Sequence, residues 1–403
     1  MLFWLRNKAL MAVTLGHFSV DMYSGMLPLI LVALTGPLNL SYAQVGLVST
    51  AFTLTSSLTQ PGFGWLADRW GGRGLAAGGI IVIAVATGLM RSASSYAMLI
   101  ALAPLAGLGS AAFHPQGAAN AALASGRQKA TGVSIFMLGG NSGFAFGPIV
   151  ARFAFAAVGQ AAVLALTSVG FILGFLQIYL APSVKRIPAA DAKAAAAALN
   201  EHRPMALGAA FALIMVIFLR QWVHSSLTTY LPQWLTAQGY SVTMTSNLMF
   251  AMLLPLAFGG LFGGYMADRI GRKPIIIASL ALMGPLLLLL LNAPGPLMFV
   301  LAPVLGMVMG ASFPITLVMA QELLPRGIGI MSGLALGFTF IAGGVGVAIS
   351  GIIADRIGLT AMLTGLSLIA LAGTGFALML PGRQGRTVDA PIAQPVDAAT
   401  AEM

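Results

Sequence analysis

Only ten of the chain's 403 residues are acidic, and Asp21 is the one set deep in a long apolar run. It lies about 12 residues past the start of that run, or about 18 Å along a helix rising 1.5 Å per residue. A charge at that depth costs on the order of 2.5–3.5 kcal/mol on insertion scales, so keeping it asks for a task or a partner. A carboxylate there can take up and release a proton, and His17, one helical turn earlier on the same face, can share it. The other reading is a structural hydrogen bond from Asp21 to a neighbouring helix. Arg220 and His224 form a second polar pair, also one turn apart in an apolar run. Arginine does not readily deprotonate, so Arg220 needs Asp21, an anionic ligand or a water-filled cavity. A fixed ion pair, or snorkelling towards the interface, is its structural alternative. His114, Gln116 and Asn120 surround Pro115, which removes one backbone hydrogen bond and bends its helix.

Other chemistries are not supported. No Walker loop, zinc-ligand spacing or Gly-x-Ser-x-Gly elbow occurs. Cysteine is absent, which excludes disulfides, thiolate metal sites and cysteine nucleophiles. The three histidines in apolar runs sit in three different segments, and one buried carboxylate is poor support for a metal site. Neither an enzyme nor a metal protein is expected, and no cofactor.

The elements that must place these residues follow from composition. Hydrophobic residues make up 58% and charged residues 7% of the chain, against roughly 25% charged in a soluble domain. An apolar run of about 20 residues can cross a core about 30 Å thick. Twelve such windows occur, at 9–33, 44–67, 75–90, 96–122, 131–151, 160–181, 205–231, 243–267, 274–292, 297–322, 328–354 and 359–380. The first lacks a credible cleavage site and reads as a retained helix. An all-α membrane protein is expected: a six-helix bundle over 1–181, a cytoplasmic linker at 182–204, a second bundle over 205–380 and a disordered cytoplasmic tail at 381–403.

The net charge of +10 reflects topology. Of the 20 Lys and Arg residues, all but Arg91, Arg152, Arg356 and Arg220 fall on one side of the twelve windows. The positive-inside bias then puts both termini in the cytoplasm. No nucleic-acid partner is implied; the partners are a small-molecule substrate, protons and the lipid bilayer of a cell membrane, with a monomer expected.

The chain repeats itself. Gly64-Trp65-Leu66-Ala67-Asp68-Arg69-Trp70-Gly71 returns as Gly264-Tyr265-Met266-Ala267-Asp268-Arg269-Ile270-Gly271, each copy running into a short basic loop. Two copies at matching places mean two homologous halves, the plan of a secondary transporter. The fifth window ends Gly147-Pro148-Ile149-Val150-Ala151-Arg152 and the eleventh Gly351-Ile352-Ile353-Ala354-Asp355-Arg356. These echo the loop repeats on the opposite face, so each half reads as inverted 3+3 repeats.

The two loops resemble the Gly-x-x-x-Asp-Arg-x-Gly signature of the major facilitator superfamily. Longer runs resemble its fosmidomycin-resistance-like drug exporters: His17–Asp21, Ser56–Pro61, Phe113-His114-Pro115, Ser134-Ile135-Phe136 with Gly139-Gly140-Asn141, and Gln321–Pro325 followed by Ser332-Gly333-Leu334. One departure stands at Gln116, where those proteins commonly carry glutamate. The resemblance implies that the first, fourth, seventh and tenth helices line a central cavity. It puts Arg220, His224, His114, Gln116, Asn141, Gln321 and Glu322 in reach of substrate; the alternatives are a satisfied structural histidine at His114 and an anchor for the Pro325-Arg326 loop at Glu322. It also implies a cytoplasmic latch built from Gly64, Asp68, Arg69, Gly71 and Arg73, with Gly264, Asp268, Arg269, Gly271, Arg272 and Lys273. That latch would hold an outward-open state, the alternative being a plain topogenic loop. Gly143–Pro148 resembles the core of an antiporter motif, although close helix packing needs the same small residues.

The function expected is a proton-coupled exporter of small amphiphilic or anionic drugs or metabolites. Asp21 with His17 would carry the proton, and the proton gradient would be the energy source. A proton-coupled uptake symporter for an organic anion is the alternative; a membrane scaffold or membrane enzyme is remote.

Overall fold

The computed structural model describes residues 7–125, 129–157, 161–180, 207–323 and 328–382, and for Asp68, 129–131, 155–157, 161–164, 321–323 and 328–336 among them only the backbone. Among the described residues, twelve helices cross the molecule. They are α1 (Lys8–Thr35), α2 (Tyr42–Trp70), α3 (Gly72–Arg91), α4 (Tyr96–Ala124), α5 (Lys129–Ala157), α6 (Ala161–Leu180), α7 (Leu207–Ala237), α8 (Val242–Ile270), α9 (Arg272–Asn292), α10, α11 (Ile328–Ile357) and α12 (Leu359–Leu378). Helix α10 comes in two pieces, Gly295–Ala311 and Phe313–Leu323. The break falls at Ser312, just before Pro314, whose missing N–H cannot continue the ladder. The expected linker, and the tail from residue 383 on, lie outside the described residues.

Capping sets where several helices start. Asn7, Ser41, Ser95 and Ser241 each accept a backbone N–H at the first turn of α1, α2, α4 and α8. Among the described residues, ten helices are long and apolar enough to cross a membrane. The described apolar stretch of α6 is shorter, and the middle of α2 is polar. There the hydroxyls of Thr53, Ser57 and Thr59 turn back onto carbonyls of their own helix.

Small residues set the packing. Helices α1 and α5 meet backbone to backbone: a Cβ on Gly25 would strike the Phe144 carbonyl, one on Gly143 that of Phe18, and one on Gly147 the backbone of Gly25. The glycines of the 143–148 run are therefore used for close approach. The pair α8/α10 uses the same device at Gly259, Gly263, Gly306 and Gly310.

The two halves are joined at one end, the distal end, where α1 stops and α2 begins. Thr50 Oγ1 donates to the Gly344 carbonyl at 2.7 Å, and Tyr230 OH donates to the carbonyls of Tyr42 and Val347, both at 3.0 Å. The rings of Phe146 and Phe250 meet at 4.8 Å, and Arg152 donates to Asn247 at 3.2 Å. At the opposite end, which carries the loop repeats, Trp65, Trp70 and Tyr265 are 58%, 74% and 53% exposed.

Candidate transport site

Asp21 holds the centre of the N-terminal bundle. Its Oδ2 lies 3.2 Å from His17 Nε2 on the same helix, and its Oδ1 lies 3.2 Å from His114 Nε2 on α4. Both rings are oriented from behind. His17 Nδ1 is 2.8 Å from the Phe136 carbonyl of α5, and His114 Nδ1 is 2.8 Å from the Ser110 carbonyl one turn back. Phe136 also stacks on the His17 ring, centroids 4.0 Å apart. Ser110 Oγ touches His114 Nδ1 at 3.2 Å and receives the Ser56 hydroxyl at 3.0 Å, which ties α2 to the cluster. Gly140 leaves the space for it, since a Cβ there would stand 2.6 Å from Asp21 Oδ2 and collide with the His17 ring.

The three facing groups lie within 4.8 Å of one another, and each ring-to-carboxylate edge, at 3.2 Å, is a distance over which a proton can be shared. The cluster is recessed but not sealed: side-chain exposure is 4% at His17, 18% at Asp21 and 27% at His114. Three separate segments suggest histidines held apart, and for His17 and His114 the structure corrects this: helix crossing brings them to one carboxylate. The rear partners Ser110 and Phe136 carry no sequence signal of their role beyond their place next to the polar motifs.

Arg220 lies apart from this cluster. It is 2% exposed on α7. Its Nη2 reaches Gln221 Oε1 at 3.2 Å, its guanidinium lies 5.0 Å from the Phe313 ring of α10, and its Nε has no partner among the described residues. Asp21's two ion-pair contacts are both histidines, so the Asp21–Arg220 pair weighed from sequence is not formed. A buried guanidinium with a π-face, one amide and no described carboxylate is an incomplete ion site.

The remaining residues scatter. His224 stands one turn beyond Arg220, partly buried. Gln116 is buried against Gly72 at the start of α3. Asn141 is exposed on α5. The side chains of Gln321, Glu322 and Asp68 lie outside the described residues.

In the loop repeats, Gly71 and Gly271 have φ of +91° and +99°, and their N–H groups close the helix on the carbonyls of Ala67 and Ala267. Glycine is required there because other residues are strained at positive φ. A Cβ added at Gly64 or Gly264, by contrast, would meet nothing within 4 Å. Arg69 and Arg269 fold back over Trp65 and Tyr265 at 5.3 and 4.4 Å. Lys273 donates to the Leu378 carbonyl at the end of α12, at 2.7 Å, and Arg73 and Arg272 stand in the first turns of α3 and α9. The distal end of α11 repeats this geometry as Ala354-Asp355-Arg356-Ile357-Gly358, with Gly358 at φ +87° bonded to Ala354.

Two six-helix bundles with a recessed ionisable cluster in one and a buried arginine in the other define a secondary transporter of the membrane, not an enzyme. The family model of the Major Facilitator Superfamily matches residues 13–254 and again 213–398. The chain belongs to that superfamily. It is 31% identical over 365 residues to the fosmidomycin resistance protein of Escherichia coli (strain K12), covering 86% of each chain. It is 28% identical over 386 residues to an uncharacterised transporter of the same type from Bacillus subtilis (strain 168), covering 93% of each. Among solved structures, a bacterial homologue of the human lysosomal transporter Spinster, inward-facing and occupied, superposes with a TM-score of 0.74 at 14% identity, over 92% of this chain and 95% of that one. That last likeness is one of fold.

Proposed function

We propose that the protein is a proton-coupled exporter of small amphiphilic or anionic compounds, working by alternating access as a monomer in the bacterial inner membrane. The observation behind this reading is the clasp of His17 and His114 on Asp21, a titratable unit shared by two helices of one bundle. Taking up a proton there changes the strength of the α1–α4 contact, so proton binding biases the bundle's conformation. Arg220 offers a positive charge to an anionic group from the other bundle, and a protonated cluster and a bound anion would couple through the shared cavity. The relationship to the fosmidomycin resistance protein favours export and makes fosmidomycin the first compound to test.

With both termini cytoplasmic, the bundles 1–181 and 205–380 rock about the site, and the joined distal end faces outward. The structure then reads as inward-open, with the loop repeats as the latch that closes in the outward-open state. The proton gradient is the sole energy source and no cofactor takes part.

Everted vesicles test the reading. An imposed acid interior should drive fosmidomycin inward with the native chain and not with Asp21→Asn. The second reading, uptake of an organic anion with protons, is favoured by the unspent Nε of Arg220. It predicts the opposite direction, loss of compound from acid-loaded vesicles. Accumulation that ignores the pH gradient would remove proton coupling altogether.

A further inference from the structure

Hydrogen-bond accounting at the Asp21 cluster gives more than a proton carrier; it gives a count. A carbonyl oxygen only accepts, so the contacts of His17 Nδ1 with Phe136 and His114 Nδ1 with Ser110 require a hydrogen on each Nδ1. Both rings are thereby fixed with Nε2 facing the carboxylate. In a neutral ring that Nε2 is a lone pair, and a lone pair set 3.2 Å from a carboxylate oxygen is repelled. Each of the two edges is attractive only when a proton lies in it.

We infer that His17, Asp21 and His114 form a two-proton site, loaded on the two ring Nε2 atoms with Asp21 as the shared counter-charge. Loading both rings leaves one net positive charge, and releasing both leaves one negative charge. The two edges differ in what they do. His17–Asp21 lies within α1, whereas Asp21–His114 spans α1 and α4, so the second proton controls the tie between helices. This inference rests on the proton-coupled reading and specifies its stoichiometry.

The surroundings leave the count to these three groups. Around α1, helix α3 has charges only at its two ends, Arg73 and Arg91. Helix α5 likewise carries only Lys129 and Arg152, and α6 has none, its Gln177 being bound to the Ala12 carbonyl. Helix α7 contributes Arg220 and His224, and neither is ion-paired with Asp21. Helix α4 has, besides His114, only Tyr96 at its distal start, and α2 has only Tyr42, Asp68 and Arg69, at its two ends.

Only four histidines occur in the chain, which makes the test direct. In a His202→Gln, His224→Gln background, checked for folding by thermal unfolding, the two cluster rings are the only ones left. Solid-state NMR of the full-length, nitrogen-15 histidine-labelled protein in liposomes then reads each nitrogen. The expected result is that both rings carry protons on both nitrogens at acidic pH and both lose only the Nε2 proton on raising it. Asp21→Asn should leave both rings neutral over the same range. One ring alone becoming cationic, loss of the Nδ1 proton first, or cationic rings without Asp21 would each overturn the two-proton site. A single loading ring, with gradient-driven transport intact in the native chain, overturns the count and leaves the coupling. Two loading rings, with gradient-independent fosmidomycin transport by the native chain, do the reverse.

Discussion

The carboxylate of Asp355, on α11, accepts the backbone N–H of Tyr42 at 2.8 Å through Oδ1, and that of Ala43 at 2.9 Å through Oδ2. These are the first free N–H groups of α2, where a helix carries its positive partial charge. The contact joins the two halves at the distal end. Its local frame, Ala354-Asp355-Arg356-Ile357-Gly358, is the frame of the loop repeats at Ala67–Gly71 and Ala267–Gly271. The same five-residue device therefore ends α2 and α8 at one face and α11 at the other. At the distal face its acid is engaged with the opposite half.

Asp355→Asn should weaken this joint by about 1 kcal/mol, the scale of an exposed carboxylate at a helix start, or roughly a fivefold shift between states. A single cysteine at Ala43, in a chain without native cysteine, should react faster with a membrane-impermeant thiol reagent. An unchanged rate would show that the hydroxyl of Tyr230 and the packing of Gly46 and Gly351 hold the end closed alone.

Asp68→Asn and Asp268→Asn should act in the opposite sense. If the loop repeats form the proposed latch, removing an acid from it favours the state in which the distal end is joined, and the same Ala43 cysteine should react more slowly. Labelling that moves in the same direction for all three acids would defeat the idea of opposed latches.

Gly140→Ala should abolish pH-gradient-driven transport while the protein still inserts and folds. The added Cβ would stand 2.6 Å from Asp21 Oδ2 and drive into the His17 ring, and overpacking of this kind costs about 1–3 kcal/mol. Gly139→Ala is no control, since its Cβ would meet Thr14; Gly365→Ala is suitable because nothing lies within 4 Å. Transport by Gly140→Ala at the native rate would mean that the cluster tolerates displacement and is not the coupling site.

Most of the fold was legible because its signals are local. Apolar run length gave the twelve helices, and the repeated Ala-Asp-Arg-x-Gly gave the two halves. The break in α10 was less visible, since Ser312 and Pro314 lie inside one continuous apolar window. Asp21 and His17 declared themselves by spacing on one helix, but the partnership with His114 depends on how α4 crosses α1, which no local pattern encodes. The distal contact of Asp355 was half visible: its resemblance to the loop repeats stood in the sequence, while the engagement with Tyr42 needed the two halves placed side by side.

Arg220 gives the sharpest separation of stability from function. Its guanidinium is buried with one amide contact, an aromatic face and no described acid, and replacing such a charge by an apolar side chain of similar volume is often neutral or stabilising by about 1–4 kcal/mol. Arg220→Met should therefore keep or raise the unfolding temperature of the ligand-free protein while removing the response to anionic compounds. Arg220→Lys should keep the charge but lose the planar two-point contact, so anion binding should fall by about tenfold or more. Thermal-shift titrations with an anionic compound and a neutral one of similar size, on all three proteins, make the comparison. A drop of several degrees in ligand-free Arg220→Met would make the arginine a structural residue. Equal losses for the two compounds would remove the anion site.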